Sequence, residues 1–135
     1  GSSTGLGYLD IDTTLAADKT LTRREGRFVN ADAAVSGYEI HMGVSHGPDC
    51  ERPVFQLNDG SVDGAVSPDG AVMGSYLHGL FDHPQAGGAL LQWAGMHHAN
   101  GVDLSILRDN SLDRLAASSQ TLLDALQRLP RWGAL

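Results

Sequence analysis

Short apolar segments separated by turn-forming residues occupy the first two thirds of the chain, a pattern typical of β-strands. The clearest alternation of apolar and polar positions runs over residues 35–44 and predicts a strand. A further strand is predicted over residues 5–14, and residues 16–30 suit an extended segment with a turn at Glu25-Gly26. The strand at 35–44 carries Tyr38, Ile40 and Met42 on one face and Glu39 and His41 on the other.

Turn-forming sequences divide residues 54–77 into short apolar segments, which favours tight turns between antiparallel strands. The last of these segments, residues 71–77, is predicted to be a strand that leads directly into His78. Residues 45–53 are typical of a loop because of their Gly-Pro and aspartate content. The turn sequences are Asn58-Asp59-Gly60, Asp63-Gly64 and Pro68-Asp69-Gly70.

The apolar spacing changes after His78 from two residues to three or four, which predicts helices. Asp82 or His83 can cap a first helix over residues 84–101, since proline is tolerated in the first helical turn. A second helix is predicted over residues 111–129, with an apolar stripe that should pack on the sheet. The stripe consists of Leu112, Leu115, Ala116, Ser119, Leu122, Leu123 and Leu126.

Strands followed by helices is the order expected for the second half of an α/β domain, where the two otherwise alternate from the start. At 135 residues the chain falls within the range of one domain. The expected fold class is therefore α/β, with mixed or antiparallel strands in the first two thirds and two C-terminal helices. Gly1-Ser2-Ser3 resembles the remainder of a cleaved expression tag, so we expect residues 1–4 to lie outside a domain at 5–135.

Composition narrows the class of function. A net charge of −7, with nine scattered Lys and Arg residues, argues against a nucleic-acid partner. The longest apolar runs are far shorter than the roughly 18 residues of a membrane-spanning helix, so no membrane partner is predicted. The single Cys50 excludes an internal disulfide, and no signal-peptide pattern opens the chain, so a cytoplasmic protein is expected.

His78 is the leading candidate for chemistry because it follows a strand directly, and ligands of open α/β sheets bind beyond the carboxyl ends of strands. A structural histidine bonded to a backbone carbonyl is an equal alternative. Glu39 and His41 share a strand face, which favours the ordinary solvent-facing polar side of an antiparallel sheet. The six histidines match no standard ligand spacing, and no metal site is predicted.

A catalytic histidine of this kind usually serves a nucleophile, and the chain offers no good one. Cys50 lies in GPDCERP, where no helix start stabilises a thiolate and the neighbouring Asp49 and Glu51 oppose one. Ser75 lacks the Gly-x-Ser-x-Gly elbow. Two further hypotheses stay open: a self-contained thiol site of Cys50 and His46, and a noncatalytic binding module for a small molecule or protein.

Three segments carry a resemblance: GLGYLDIDT at residues 5–13, GYEIHMG at 37–43 and GSYLHGLFD at 74–82. In this order and spacing they resemble the C-terminal glutaminase domain of the cobyric acid synthase family, a branch of the class I (triad-type) glutamine amidotransferases. The likeness extends from Gly5 to about Leu129. Sister families that make the a,c-diamide or amidate peptidoglycan share the layout but typically differ in the second segment. The resemblance implies part of a flavodoxin-like domain.

In that family a cysteine on a Gly-x-Cys-Gly-Gly elbow attacks glutamine, and a histidine that His78 matches acts as its base. The elbow would precede residue 5, so the resemblance implies a chain that supplies the histidine without the cysteine and is inactive alone. Triad members commonly carry a glutamate two residues after the histidine, where this chain has Leu80. A Cys-His dyad or help from another carboxylate, Asp82 or Glu39, is then implied.

The resemblance also assigns supporting positions and partners. Tyr38 and Tyr76 are candidate pocket walls or core residues, and Glu39 and His41 match a family segment that can organise the neighbouring strand. In the intact family, glutamine-derived ammonia passes to an N-terminal synthetase domain that uses ATP and Mg²⁺ to amidate carboxylates of adenosylcobyrinic acid a,c-diamide in cobalamin biosynthesis. No cofactor is expected in this chain. An edge exposed by truncation would favour self-association.

Overall fold

A computed structural model describes residues 1–97 and 101–128, which belong to two compact units, Gly1–Val102 and Asp103–Leu135. The first unit contains the strands, two short 3-10 turns and helix α1, Pro84–Trp93; the second contains helix α2, Leu104–Gln127. The 3-10 turns are Pro48–Glu51 and Leu80–Asp82. The strands are β1 Asp12–Phe28, β2 Ala34–His46, β3 Phe55–Leu57, β4 Val62–Asp63, β5 Ala65–Val66, β6 Met73–Gly74 and β7 Leu77–His78.

Five strands form an antiparallel sheet in the order β4-β3-β1-β2-β7, and β5 pairs with β6 separately. The β1–β2 hairpin is the framework of this sheet, with one register irregularity between Leu15 and Thr20. In β2, Tyr38 lies opposite Arg23 of β1 on one side and His78 of β7 on the other. This architecture of strands followed by helices confirms the predicted α/β fold class, a partial flavodoxin-like fold.

One face of the sheet, which we call the covered face, carries the core. Phe28 and Phe55 meet there edge to face, with ring centroids 4.7 Å apart. Helix α1 contributes Ala86 and Leu90 to the same cluster. Gly26 allows β3 to pair closely with β1, since an added methyl group would overlap the backbone of Gln56. The buried cluster is completed by Ala33, Val35, Val54, Leu57 and Leu77.

The opposite side, which we call the open face, carries Leu21, Arg23, Tyr38, Ile40 and His78. The strand predicted at 35–44 is confirmed, but the solvent-facing role of its polar side is wrong. Tyr38 is 52% exposed, whereas Glu39 and His41 lie on the covered face. The reason is register, because residues two apart on a strand share a face and Val35 must reach the core.

Two predictions about β1 are corrected by the structure. Residues 7–10 bend instead of forming a strand, with Gly7 in the left-handed region at φ +74°, and β1 begins at Asp12. The turn expected at Glu25-Gly26 is absent from that position, because both residues pair with β2 inside the strand. Glycine is common in turns, but it also permits close pairing of strands, and the local sequence does not distinguish these two roles.

The turns predicted at residues 58–60 and 68–70 are confirmed, with Gly60 and Gly70 at positive φ. The turn predicted at Asp63-Gly64 does not join paired strands: Gly64, also at positive φ, bends the chain from β4 into β5, and these two strands belong to different sheets. The single strand predicted over residues 71–77 is wrong, since it is two short strands, β6 and β7. The interruption has a visible cause. The backbone N–H groups of Tyr76 and Leu77 are bound by the side chains of Asp63 and Ser75, so they do not join a continuous ladder.

Helix α1 begins at Pro84 as predicted but ends at Trp93, well before residue 101. Gly95, at φ +91°, closes it: the Gly95 N–H donates to Gln92 and the Met96 N–H donates to Leu91, a Schellman arrangement. Residues 98–100 of the predicted span lie outside the described residues. None of the described helices is both long and apolar enough to cross a bilayer.

Helix α2 begins seven residues earlier than predicted. The Asp103 carboxylate caps it by accepting hydrogen bonds from the N–H groups of Ser105 and Ile106 at 3.0 and 3.2 Å. None of the residues of α2 is buried, and Leu112 and Leu122 are more than half exposed. The leucine stripe and the sheet belong to different units, so the packing of the stripe on the sheet stays a prediction.

Candidate active site

His78 is the last residue of β7, and its side chain is exposed on the open face. Its neighbour Leu77 points the other way into the core. Gly79 follows in the left-handed conformation, at φ +84°, and turns the chain into the 3-10 turn at Leu80–Asp82. This local sequence therefore holds one imidazole at a strand end with its ring accessible from the open face.

The backbone beneath His78 is set by close contact with β2. An added methyl group at Gly37 would overlap the His78 carbonyl oxygen and lie 3.1 Å from Leu77 Cγ. The Ile40 N–H donates to the Tyr76 carbonyl at 3.2 Å, which fixes the segment just before β7. Glycine at position 37 is therefore a requirement for the position of His78.

The carboxylates proposed to orient His78 are differently placed. Glu39 lies opposite Leu77 in register and hence on the covered face, across the sheet from the His78 ring. The Asp82 carboxylate lies above Gly79, and the Asp82 N–H donates to the Gly79 carbonyl at 3.0 Å. Leu80 packs partly buried against the core. Among the described residues, no hydrogen bond joins either carboxylate to the His78 ring.

Glu39 and His41 instead belong to a charged network on the covered face. Arg24 Nε donates to one Glu39 oxygen at 2.6 Å, and His41 Nε2 donates to the other at 2.7 Å. Arg24 Nη1 also reaches Asp59 at 2.5 Å. Arg24 could not be identified from the sequence, because a lone arginine in an extended segment carries no pattern that distinguishes it.

The contacts of the His41 ring favour its charged form. Its Nδ1 lies 2.5 Å from the Gly43 carbonyl oxygen and its Nε2 faces Glu39, so both ring nitrogens face acceptors, and only the imidazolium can donate to both. The hydrogen bond to Glu39 is the main cause that raises the pKa of His41 above its ordinary value. Burial alone would raise the pKa of Glu39, but Arg24 and His41 outweigh burial and lower it.

These opposite shifts give a pH dependence of stability. A raised His41 pKa stabilises the fold fully below about pH 6.5, the unfolded value, and the contribution is lost as pH rises through the folded pKa. A lowered Glu39 pKa contributes above about pH 4.3 and is lost as pH falls through the folded pKa. We therefore expect His41→Gln to reduce stability most near pH 5.5–6, by about 1 kcal/mol or less.

Thermal unfolding of wild type and His41→Gln between pH 5 and 9 checks this expectation. The difference between the two proteins should shrink as pH rises above about 6.5 and passes through the folded pKa of His41. The matched control introduces His41→Gln into a Glu39→Gln background, where the pH dependence should weaken, because the main cause of the raised His41 pKa is removed. A stability difference that stays constant over the whole pH range would contradict the charged pair.

Tyr76 joins this network from the segment before β7. Its ring stacks on His41 with centroids 4.2 Å apart and planes 20° apart. Its hydroxyl lies 2.6 Å from Ser45 Oγ, which in turn lies 2.7 Å from Thr13 Oγ1. Tyr76 is therefore placed against the covered-face network, whereas Tyr38 lies beside His78 on the open face.

Asp63 is a second residue whose role the sequence analysis missed. It was interpreted only as part of an Asp-Gly turn, and Gly64 does bend the chain at φ +86°. The Asp63 side chain is also buried and accepts hydrogen bonds from the Ser75 hydroxyl and from the Tyr76 N–H, the latter at 3.3 Å. Ser75 was considered only as a nucleophile, and its hydroxyl is taken up by these structural hydrogen bonds.

Cys50 lies in the short 3-10 turn Pro48–Glu51 and is half-buried. Its neighbour Asp49 is buried, accepts from the Asp10 N–H at 2.8 Å and pairs with Arg52. Within residues 1–97 and 101–128, no hydrogen bond joins the Cys50 sulfur to His46 or to any other group. The geometry thus offers no base for a thiol site at Cys50.

A labelling experiment follows from this environment. We expect iodoacetamide to alkylate Cys50 at neutral pH no faster than it alkylates a simple thiol, because no base or cation activates the sulfur. The measurement is mass spectrometry of time points for wild type and for His46→Ala, which should label at the same rate. Alkylation tenfold faster than that of glutathione, lost in His46→Ala, would establish a self-contained thiol site.

No three histidine, cysteine or acidic side chains converge to hold a metal ion in the part of the chain that the structure describes. The shallow cavity nearest to the start of α1 measures about 510 Å³ and is lined in part by Ser36, Asn58 and His83. His83 Nε2 lies 2.6 Å from Ser36 Oγ. This cavity does not include His78, so it is separate from the candidate site.

Comparison of the sequence with known protein families identifies the family to which this chain belongs. Residues 1–86 match the CobB/CobQ-like glutamine amidotransferase domain, a range that includes every strand, His78 and the start of α1. No solved structure matches the chain. The chain belongs to the CobB/CobQ-like glutamine amidotransferase family, which confirms the resemblance of its sequence to a cobyric acid synthase-type amidotransferase domain. Its role is that of a glutamine amidotransferase, and glutamine is the substrate that this family implies.

Proposed function

We propose that this chain is the histidine-bearing part of the glutaminase site of a cobyric acid synthase, and that His78 is its general base. The observation that carries the proposal is the placement of His78. Its imidazole is exposed at a strand end on the open face, within the residues that match the amidotransferase family. His41 in β2 is less suited to act as the base, because both of its ring nitrogens already have hydrogen-bond partners on the covered face.

The proposed chemistry needs a thiol from outside this sequence, because Cys50 is its single cysteine and no Gly-x-Cys-Gly-Gly segment occurs in it. His78 removes the thiol proton, and the thiolate attacks the side-chain amide carbon of glutamine. The imidazolium then protonates the nitrogen as the carbon–nitrogen bond breaks, which releases ammonia and leaves a glutamyl thioester. His78 next activates water, which hydrolyses the thioester to glutamate and regenerates the thiol.

The open face is the surface on which the thiol-bearing segment would dock. Tyr38 lies directly opposite His78 in register, and Leu21 is 64% exposed on the same face. Exposed apolar side chains beside a catalytic group favour a partner element that covers them. Asp82 lies just beyond the strand end and remains a candidate to orient the ring once that element is in place.

The remaining partners belong to other parts of the intact enzyme. Ammonia released at this site would serve a synthetase domain that uses ATP and Mg²⁺ to amidate corrin carboxylates. None of the described residues forms a metal-binding cluster, so no step of that chemistry is assigned to this chain. A cytoplasmic location fits such an enzyme.

The test compares this 135-residue chain with a polypeptide extended upstream to include the thiol-bearing elbow. We expect glutamate release from glutamine only by the extended polypeptide, and none by the chain alone. Replacement of the elbow cysteine by alanine should abolish the activity, whereas Cys50→Ala should preserve it. Glutamine hydrolysis by the 135-residue chain itself, or its absence from a folded extended polypeptide, would overturn the proposal.

A further inference from the structure

The strand that carries His78 contains only two residues, which pair with Tyr38 and Glu39 of β2, and a single further backbone hydrogen bond, from Ile40 to the Tyr76 carbonyl, holds the segment before it. Two-residue pairing specifies a position weakly, because few ladder hydrogen bonds and few cross-strand contacts support it. Something else must therefore hold the end of β7 if His78 is to sit in one place. The side chains of Asp63 and Ser75 provide that support.

The support is a relay of three linked hydrogen bonds. One joins the two side chains, and the other two are donated by backbone N–H groups just before His78. The Ser75 hydroxyl donates to Asp63 Oδ2, and the same hydroxyl oxygen accepts from the Leu77 N–H at 2.8 Å. The second Asp63 oxygen accepts from the Tyr76 N–H at 3.3 Å. Asp63 is only 9% exposed, so water competes little for its two oxygens, whereas Ser75 lies at the exposed end of the network.

We propose that Asp63 and Ser75 are positioning residues that set the location of the His78 imidazole. Neither side chain touches the open face, so they act through the backbone of β7. The inference rests on the proposed function of His78 for its catalytic consequence. Its structural content, the dependence of the β7 end on this relay, stands independently and can be tested on the 135-residue chain.

The chain contains a matched control for this relay. The Ser67 hydroxyl donates to Asp69 at 2.6 Å, and Ser67 Oγ accepts from the Val72 N–H at 3.0 Å. This is the same arrangement of serine, aspartate and backbone N–H, located at the β5–β6 turn. Ser75→Ala and Ser67→Ala therefore remove the same chemical group from equivalent hydrogen bonds, and only the first of them adjoins His78.

The experiment measures amide hydrogen exchange and the His78 imidazole NMR signals of the 135-residue chain. We expect Ser75→Ala to accelerate exchange of the Leu77 amide at least about tenfold and to shift the His78 signals, and Ser75→Thr, which keeps the hydroxyl, to restore both. Ser67→Ala should accelerate exchange of the Val72 amide. It should leave the exchange rate of the Leu77 amide within twofold of wild type and the His78 imidazole signals unshifted. Asp63→Asn, which is isosteric, should give an intermediate effect.

An activity measurement on the extended polypeptide completes the test. Ser75→Ala should lower kcat for glutamine hydrolysis about tenfold with KM within twofold of wild type, because positioning affects the reaction more than binding. Unchanged Leu77 exchange and His78 signals in Ser75→Ala would overturn the inference. If wild type shows no glutamine hydrolysis, the proposed function fails, and the NMR result alone then decides whether the relay positions His78.

Discussion

Replacement of His78 by alanine should lower glutamine hydrolysis by the extended amidotransferase at least 10²-fold, and up to about 10⁴-fold, the range that a positioned acid-base group supplies. The loss should appear mainly in kcat, because the imidazole moves protons and does not provide the main contacts to glutamine. The measurement is steady-state glutamate release. The exposed position of His78 predicts little change in thermal stability.

The matched control for this variant is His46→Ala. His46 is also exposed, at the far end of β2, and its side chain makes none of the side-chain hydrogen bonds observed in the described part of the chain. Its replacement should leave kcat and KM within about twofold of wild type. Equal activity of His78→Ala and wild type would show that another group acts as the base, and would remove the reason to regard the open face as catalytic.

The second large effect is expected from a single methyl group at Gly37. In Gly37→Ala the new Cβ would overlap the His78 carbonyl oxygen, a backbone atom that cannot rotate away. We expect the variant to lose about 1–3 kcal/mol of folding free energy, as overpacked sites do. Displacement of β7 by about 1 Å should also cost about 10²-fold in glutamine hydrolysis.

Gly74→Ala is the control for the general cost of alanine at a strand glycine in this unit. A methyl group at Gly74 would meet only the Leu9 Cδ1 atom, at 3.3 Å, which is the movable end of a side chain. Denaturant unfolding and kcat of the two variants give the comparison. If Gly37→Ala unfolds and reacts like Gly74→Ala, β7 does not depend on its close approach to β2.

The strands and turns of this chain follow from local rules, and most of them could be predicted. The alternation at residues 35–44 identifies β2, and the glycines at 60 and 70 mark turns because they adopt positive φ. Gly26 and Gly37 show where local rules end. Each is a glycine because a neighbouring strand comes close, and that neighbour is distant in sequence.

The candidate site shows the same division. His78 could be identified from its position at a strand end and from the family resemblance, since both are visible in a few adjacent residues. The partners of Glu39 could not, because Arg24 is 15 residues away and the register that joins them is set by the whole β1–β2 hairpin. The face to which Glu39 and His41 point was also predicted wrongly, since alternation separates two faces without saying which one is covered.

The leucine stripe of α2 illustrates a further limit. Its three- and four-residue spacing correctly identifies a helix, and the Asp103 cap explains why the helix begins before the stripe. Periodicity shows that one side of a helix is apolar but does not show what covers it. The prediction that the sheet covers this stripe went beyond the pattern.

The site of covalent labelling by an electrophilic glutamine analogue tests the central claim most directly. Peptide mass spectrometry of the extended polypeptide should locate the adduct on the elbow cysteine and show that Cys50 is unmodified. In His78→Ala the adduct should form at least 10²-fold more slowly. An adduct on Cys50, or an elbow adduct that forms equally fast without His78, would contradict the assignment of His78 as the base for an external thiol.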